Sequence, residues 1–140
     1  MSKRNFLNLK EFAQRLLAHE TASRKPVGAD KAAAFRVCEK LRVSLGRFMG
    51  VAGYRSLLSR ALAMAGAKVQ WLRGLHVQAD GTLEGLAELE SKLNEEQIAQ
   101  GEVALVVELL ELMVSFIGPA LTSQLIHDVW PRTDLSEFEY

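Results

Sequence analysis

The sequence contains a single cysteine, Cys38, among its 140 residues. No disulfide can form within one chain, which fits a protein of a reducing compartment. The longest stretch without a charged residue or a histidine runs from Leu112 to Ile126, and its 15 residues are fewer than the roughly 20 that span a membrane. The N-terminus also lacks an apolar segment of signal-peptide length. We therefore expect a cytoplasmic protein and no membrane partner.

The motifs of metal, nucleotide and catalytic sites are missing as well. The three histidines, His19, His76 and His127, lie on separate predicted elements, and none has a second His or Cys three or four residues away. A metal site needs ligands that converge, so no metal is predicted. The glycines around Gly50 match neither a Walker loop nor a dinucleotide-binding pattern. The sequence therefore predicts no cofactor and favours a protein that is not an enzyme.

Positive charge is nearly absent from the second half of the chain. Residues 1–73 hold 15 Lys and Arg against 4 Asp and Glu, whereas residues 74–140 hold 2 against 13. The net charge of zero is thus the sum of a balance of +11 and one of −11. Such an asymmetry indicates either a charged partner or two halves that neutralise each other, within one chain or between chains.

What the chain has in abundance is apolar sequence between Glu102 and Trp130. Placed on a helix, residues 103–117 are apolar nearly all round, and such a helix must be enclosed by other elements. Asn94 is a good N-cap, with Gln97 at the position of its capping-box partner. Pro119 should kink or break the helix. We predict an all-α fold, a compact bundle of about five helices around this central helix of about 95–117.

The remaining elements follow from periodicity and from turn signals. Asp80-Gly81, between alternating apolar residues, predicts a small β-hairpin or an ordered loop near 75–84. Residues 1–131 are expected to form one helical domain, with residues 132–140 a flexible acidic tail or a docking peptide that contains Phe138 and Tyr140. The other predicted helices cover about 9–22, about 30–49, about 54–73 and about 86–93, and the first of them is expected to be peripheral.

The second predicted helix has an apolar and a basic face. The apolar face, which includes Phe48, is expected to enter the core. On the opposite side, Arg36, Lys40 and Arg47 fall within about 40° of one another at 3.6 residues per turn. This basic stripe is interpreted as a solvated face, as a partner for Glu108 and Glu111, or as a phosphate-binding surface.

The two predicted helices around Gly50 partly resemble a helix-turn-helix unit. Gly46 fills the small position four residues before the turn glycine, and apolar residues occupy the expected neighbouring positions. The second helix departs from the pattern, because Ser56 and Ser59 stand where apolar residues should be buried. In that arrangement Leu57 and Leu58 would face the DNA.

Three functions remain open from the sequence. The first is a non-enzymatic interaction or regulatory protein that forms homo-oligomers. A small bundle would leave part of the apolar surface of residues 103–117 uncovered, and this surface would form the interface. The second is a nucleic-acid-binding protein that uses the basic half of the chain. The third is a small helical enzyme or ligand pocket around Glu108 and Glu111. For the second function, the candidate phosphate contacts are Arg36, Lys40, Arg47, Arg55 and Arg60.

Overall fold

The computed structural model of the protein describes residues 2–23 and 33–130, with the side chains of 9–20 and of 33–130 except 87 and 90. The expected tail of residues 132–140, with Phe138 and Tyr140, lies outside the described residues. The elements in chain order are α1 (Ser2–Ser23), α2 (Ala33–Lys68), a 3-10 turn (Gln70–Gly74), β1 (His76–Val77), β2 (Leu83–Glu84), α3 (Leu86–Glu90) and α4 (Glu95–Val129).

The all-α prediction is confirmed, but the predicted bundle of five helices is not what the structure shows. The described ranges contain three long helices, one helix of five residues and a two-stranded sheet. Residues 51–53, predicted as a turn, are helical, and two helical segments of α2 meet at Gly50, whose backbone is not helical (φ 83°, ψ 163°). The predicted break near Pro119 is confirmed, since Gly118 (φ 86°, ψ 159°) interrupts α4 in the same way.

The core lies where α1 and α2 pack against α4. The first part of α4 buries side chains on all its sides, as expected of a helix that is apolar nearly all round. The buried side chains include Leu105, Val106, Leu109, Leu110 and Met113. α1 contributes one face at helical spacing, formed by Leu9, Phe12, Ala13, Leu16 and Leu17. The first part of α4 is thereby enclosed, which removes most of the uncovered surface expected of residues 103–117.

Two local predictions in the acidic half are confirmed in detail. β1 and β2 pair antiparallel, with Val77 opposite Leu83, and the Asp80 carboxylate accepts hydrogen bonds from the main-chain N–H and the hydroxyl of Thr82. At the start of α4, the Asn94 side chain accepts from the main-chain N–H of Gln97, and the Gln97 side chain accepts from that of Asn94. This capping box satisfies two donors that a helix start leaves unpaired.

By length and composition, α4 could cross a membrane: an 18-residue window reaches a mean hydropathy of 1.9, and 44% of it is buried inside the protein. The core helix of a water-soluble protein meets the same criterion, so this property does not assign a location.

Candidate functional site

An apolar groove opens beside the two helix breaks. We call it the break groove, and its walls are Phe48, Met49, Leu57 and Arg60 of α2 with Phe116 and Ile117 of α4. Its volume is about 390 Å³. The exposed fractions of the Phe48 and Phe116 side chains are 53% and 60%. Large aromatic side chains this accessible, on both sides of one groove, are typical of a contact surface.

The break groove exists because each helix is interrupted two residues after a phenylalanine. Phe48 precedes Gly50, and Phe116 precedes Gly118. The expectation that Phe48 enters the core is therefore wrong. Next to the break, its side chain is exposed and lines the same groove as Phe116. The repeated pattern Phe–apolar–Gly, in Phe48-Met49-Gly50 and Phe116-Ile117-Gly118, is a signal in the sequence that could have identified this surface.

Three of the arginines named as candidate phosphate contacts either line this groove or are next in sequence to a residue that does. Arg60 contributes to its wall. Arg47 and Arg55 are exposed, and they are the sequence neighbours of Phe48 and of Ser56, which also lines the groove. Within the described ranges, no ion pair is formed by any of the three. Arg60 thus adds a positive charge to a largely apolar groove.

Arg36 and Lys40 have a different environment, around a carboxylate that the sequence did not single out. Glu20, at the end of α1, is only 2% exposed. Its Oε1 accepts from Arg36 Nε at 3.1 Å, and its Oε2 accepts from Lys40 Nζ at 2.5 Å and from Trp130 Nε1 at 2.7 Å. Arg36 also donates to the main-chain oxygen of Glu20. Arg36 and Lys40 are thus both bound to a buried acid.

The Glu20 cluster joins three helices. Burial raises the pKa of the Glu20 carboxyl, but the hydrogen bonds from Lys40 and Trp130, with the charge of Lys40, outweigh burial and leave the pKa below its ordinary value. The Lys40 ammonium also lies 5.9 Å from the centre of the Trp130 ring, within cation–π range. The cluster fixes the end of α4 to α1 and α2, which is a structural role.

Glu108 and Glu111 meet a cation, but not one from the expected stripe. Lys68, at the end of α2, donates to Glu108 Oε2 at 2.6 Å. Glu108 is 1% exposed, and its Oε1 accepts no hydrogen bond. Burial, and secondly the charge of Glu108, raises the pKa of the half-buried Glu111 carboxyl. The charge of Lys68 partly opposes this rise. The two halves of the chain are thus joined here through Lys68.

The resemblance to a helix-turn-helix unit is not supported. Leu57 and Leu58, which would face the DNA in that motif, are buried in the core. Val51, which should be buried after the turn, is 49% exposed. The segment of α2 that follows the break at Gly50 is helical, but it buries the two leucines that the motif would expose.

Groups suited to metal or nucleophilic chemistry are scarce in the described ranges. No three His, Cys, Asp or Glu side chains there converge on a position for a metal ion. Cys38 is fully inside the core, and burial raises the pKa of its thiol to about 12, with a smaller contribution from the charge of Glu39. A thiol in this state is a poor nucleophile.

No protein-family model matches this chain, and neither the curated proteins nor the solved structures contain a significant match to it.

Proposed function

We propose that this protein is a non-enzymatic interaction protein that forms homo-oligomers, with the break groove as its contact surface. The observation that supports the proposal best is the pairing of Phe48 and Phe116, both more than half exposed, across one groove. Exposed aromatic side chains lose this unfavourable contact with water when a partner covers them.

The charge near the groove indicates the chemistry of its partner. Arg47, Arg55 and Arg60 favour a segment that offers apolar side chains between carboxylates. The chain contains such a segment in residues 132–140, where Phe138 and Tyr140 alternate with acidic residues. We therefore propose that the groove of one copy receives this segment of a second copy, which brings the basic and the acidic half together between chains.

Light scattering after size exclusion, at about 50 and about 500 mM salt, tests this proposal because screening strengthens strongly over that range. We expect an oligomer that dissociates as salt rises. Phe116→Ser, and in a separate variant Phe138→Ser with Tyr140→Ser, should each give a monomer at both salt concentrations. Val43→Ser is the matched control, because Val43 is equally exposed but does not line the groove. A monomeric wild type at high micromolar concentration, or an oligomer unaffected by both variants, would contradict the proposal.

The nucleic-acid alternative has weaker support, because two of its five candidate cations, Arg36 and Lys40, are bound to Glu20. Its test is the anisotropy of labelled DNA and RNA with increasing salt. Binding that weakens steeply with salt and is lost in Arg47→Gln with Arg60→Gln would favour it over the oligomer.

A further inference from the structure

The buried carboxylate of Glu108 has one oxygen without a hydrogen-bond donor. Glu108 is 1% exposed. Its Oε2 accepts from Lys68 Nζ at 2.6 Å, whereas Oε1 has no hydrogen-bond partner and is closed off from solvent. Buried polar atoms in folded proteins are nearly always paired. Because a molecule bound at the surface cannot reach this oxygen, we look for its donor among the neighbouring side chains of the protein.

Glu111 is placed to be that donor. It follows Glu108 by three residues on α4, and side chains at this spacing are neighbours on one side of a helix. Glu111 is only partly buried, so its carboxyl can exchange a proton with solvent. An ionised carboxylate only accepts hydrogen bonds, whereas a protonated carboxyl also donates one. Glu111 can therefore supply the missing donor only in its protonated form.

The position of Lys68 decides which of the two acids takes up the proton. Its ammonium lies 2.6 Å from Glu108 Oε2, and a charge-assisted contact of this length favours the ionised form of Glu108. Burial, and secondly the charge of Glu108, raises the pKa of the Glu111 carboxyl, and the charge of Lys68 opposes this rise only in part. Glu108 is thus the acceptor, and Glu111 is the group that becomes protonated.

The other charged groups near Glu108 come from α1 and from the first turn of α4. Lys10 and Glu96 line a groove between these helices, together with Lys68 and Glu108. The two ammonium groups and the two carboxylates of this groove balance, and Glu111 does not belong to its lining. Among the described side chains, the charges that shift the pKa of Glu111 are therefore those of Glu108 and Lys68.

We propose that Glu108 and Glu111 form a proton-binding pair that makes the contact between α2 and α4 sensitive to pH. A proton from solvent forms an O–H bond on Glu111, and this hydroxyl donates to Glu108 Oε1 while Lys68 keeps Oε2. The two acids and Lys68 then carry no net charge together. When the proton leaves, they carry one excess negative charge and Oε1 is unpaired again. The pair is independent of the proposed oligomer, because it uses no residue of the break groove.

The pair should strengthen this contact as the pH falls. The pKa of Glu111 in the folded protein is raised above its ordinary value of 4.5. The stabilisation that protonated Glu111 gives the fold is therefore fully present below 4.5, and it is lost as the pH rises through the higher pKa of the folded protein. The Glu20 cluster has the opposite dependence, because the pKa of that carboxyl is lowered.

Carbon-13 NMR of the glutamate carboxyls in the full chain, from about pH 3 to about pH 8, tests the proton site directly. The signal that Glu111→Gln removes should titrate above 4.5, and Lys68→Gln should raise its midpoint further because the opposing charge is gone. Glu11, an exposed acid on α1, is the control and should titrate identically with and without Lys68. A wild-type Glu111 midpoint at or below 4.5, or one that Lys68→Gln leaves in place, would overturn the proposal.

Urea unfolding tests the hydrogen bond to Oε1. Glu111→Gln imitates the protonated acid, because its amide group donates at every pH. Its urea midpoint should exceed that of the wild type at about pH 7 and meet it near about pH 4, where Glu111 is itself protonated. Glu11→Gln should follow the wild type at both pH values. Equal midpoints for the wild type and Glu111→Gln at about pH 7 would show that no donor is missing at Glu108.

Discussion

The indole ring of Trp71 packs directly on the backbone of α4 at Gly101. A Cβ atom at position 101 would lie 2.2 Å from Trp71 Cζ2 and 2.5 Å from Cε2, far inside van der Waals contact. One turn earlier on α4, the Gln97 carbonyl accepts a hydrogen bond from Trp71 Nε1 at 2.9 Å. Glycine at 101 is therefore required by the ring that covers it, although glycine is a poor helix former.

Gly101→Ala should destabilise the protein by up to about 2 kcal/mol. Overpacking costs about 1–3 kcal/mol and outweighs the gain of about 1 kcal/mol in helix propensity. Urea unfolding followed by circular dichroism measures the difference. Gly46→Ala is the control, since a Cβ there meets nothing within 4 Å and should stabilise α2. A Gly101→Ala protein as stable as Gly46→Ala would contradict the packing of Trp71, and Trp71→Ala should reduce the effect of Gly101→Ala.

Gly50→Ala and Gly118→Ala should each destabilise the protein by about 1–3 kcal/mol, because both glycines occupy a backbone region that is essentially closed to other residues. No neighbouring atom lies within 4 Å of a Cβ at either position, so the penalty is conformational and not steric contact with another element. Urea midpoints measure it. If either variant matched Gly46→Ala in stability, the break at that position would not exist in solution.

Glu20→Gln should lower the free energy of unfolding at neutral pH by about 1.5–3 kcal/mol, the range for hydrogen bonds to charged groups. The pKa of Glu20 is lowered in the folded protein from an ordinary value of 4.5. The stabilisation that the ionised Glu20 gives the fold is therefore complete above this ordinary pKa. It is lost as the pH falls through the lower pKa that Glu20 has in the folded protein. Urea midpoints from about pH 6 to pH 3 should converge for the wild type and Glu20→Gln.

Glu11→Gln is the matched control for this pH series, because Glu11 is an exposed acid on the same helix. Its midpoints should follow those of the wild type throughout. A constant difference between wild type and Glu20→Gln across the whole pH range would show that Glu20 is not held as a carboxylate by Lys40 and Trp130.

Cys38 should react with thiol reagents only when the protein opens. Its thiol is buried and has a pKa of about 12, so almost no thiolate is present near pH 8 in the folded state. The labelling rate at about pH 8 should therefore rise with urea in proportion to the opened fraction. Val43→Cys supplies an exposed thiol that should react at once. Immediate labelling of wild-type Cys38 would place it outside the core.

The features that the sequence predicted correctly are those whose partners are close in the chain. The Asn94–Gln97 capping box spans three residues, and the hairpin at Asp80-Gly81 depends on its own turn. The pairing of Glu20 with Trp130 joins residues 110 positions apart, and no local pattern distinguishes that glutamate from a solvated one.

The candidate sites were predictable only in part, for the same reason. Arg36 and Lys40 share a helix face with Arg47, but a buried carboxylate from α1 decides what the first two bind. The sequence shows Glu108 as a carboxylate on an apolar helix, but its partner Lys68 and its unsatisfied oxygen depend on how α2 ends beside α4. Phe48 continues the apolar face of its predicted helix at helical spacing, but spacing alone does not show that no other element covers the last turn before Gly50.

The hydrogen bonds of Trp71 and Trp130 fix α4 at both ends, and this restricts how the chain can change its length over evolution. Trp71 holds the first turn at Gln97, and Trp130 reaches Glu20 from the last residue of the described chain. One inserted residue between them would rotate everything that follows by about 100° and shift it by about 1.5 Å. Trp130 would then point away from Glu20. Insertions and deletions should therefore be tolerated in the connections around α4, whereas within the helix only substitutions can accumulate.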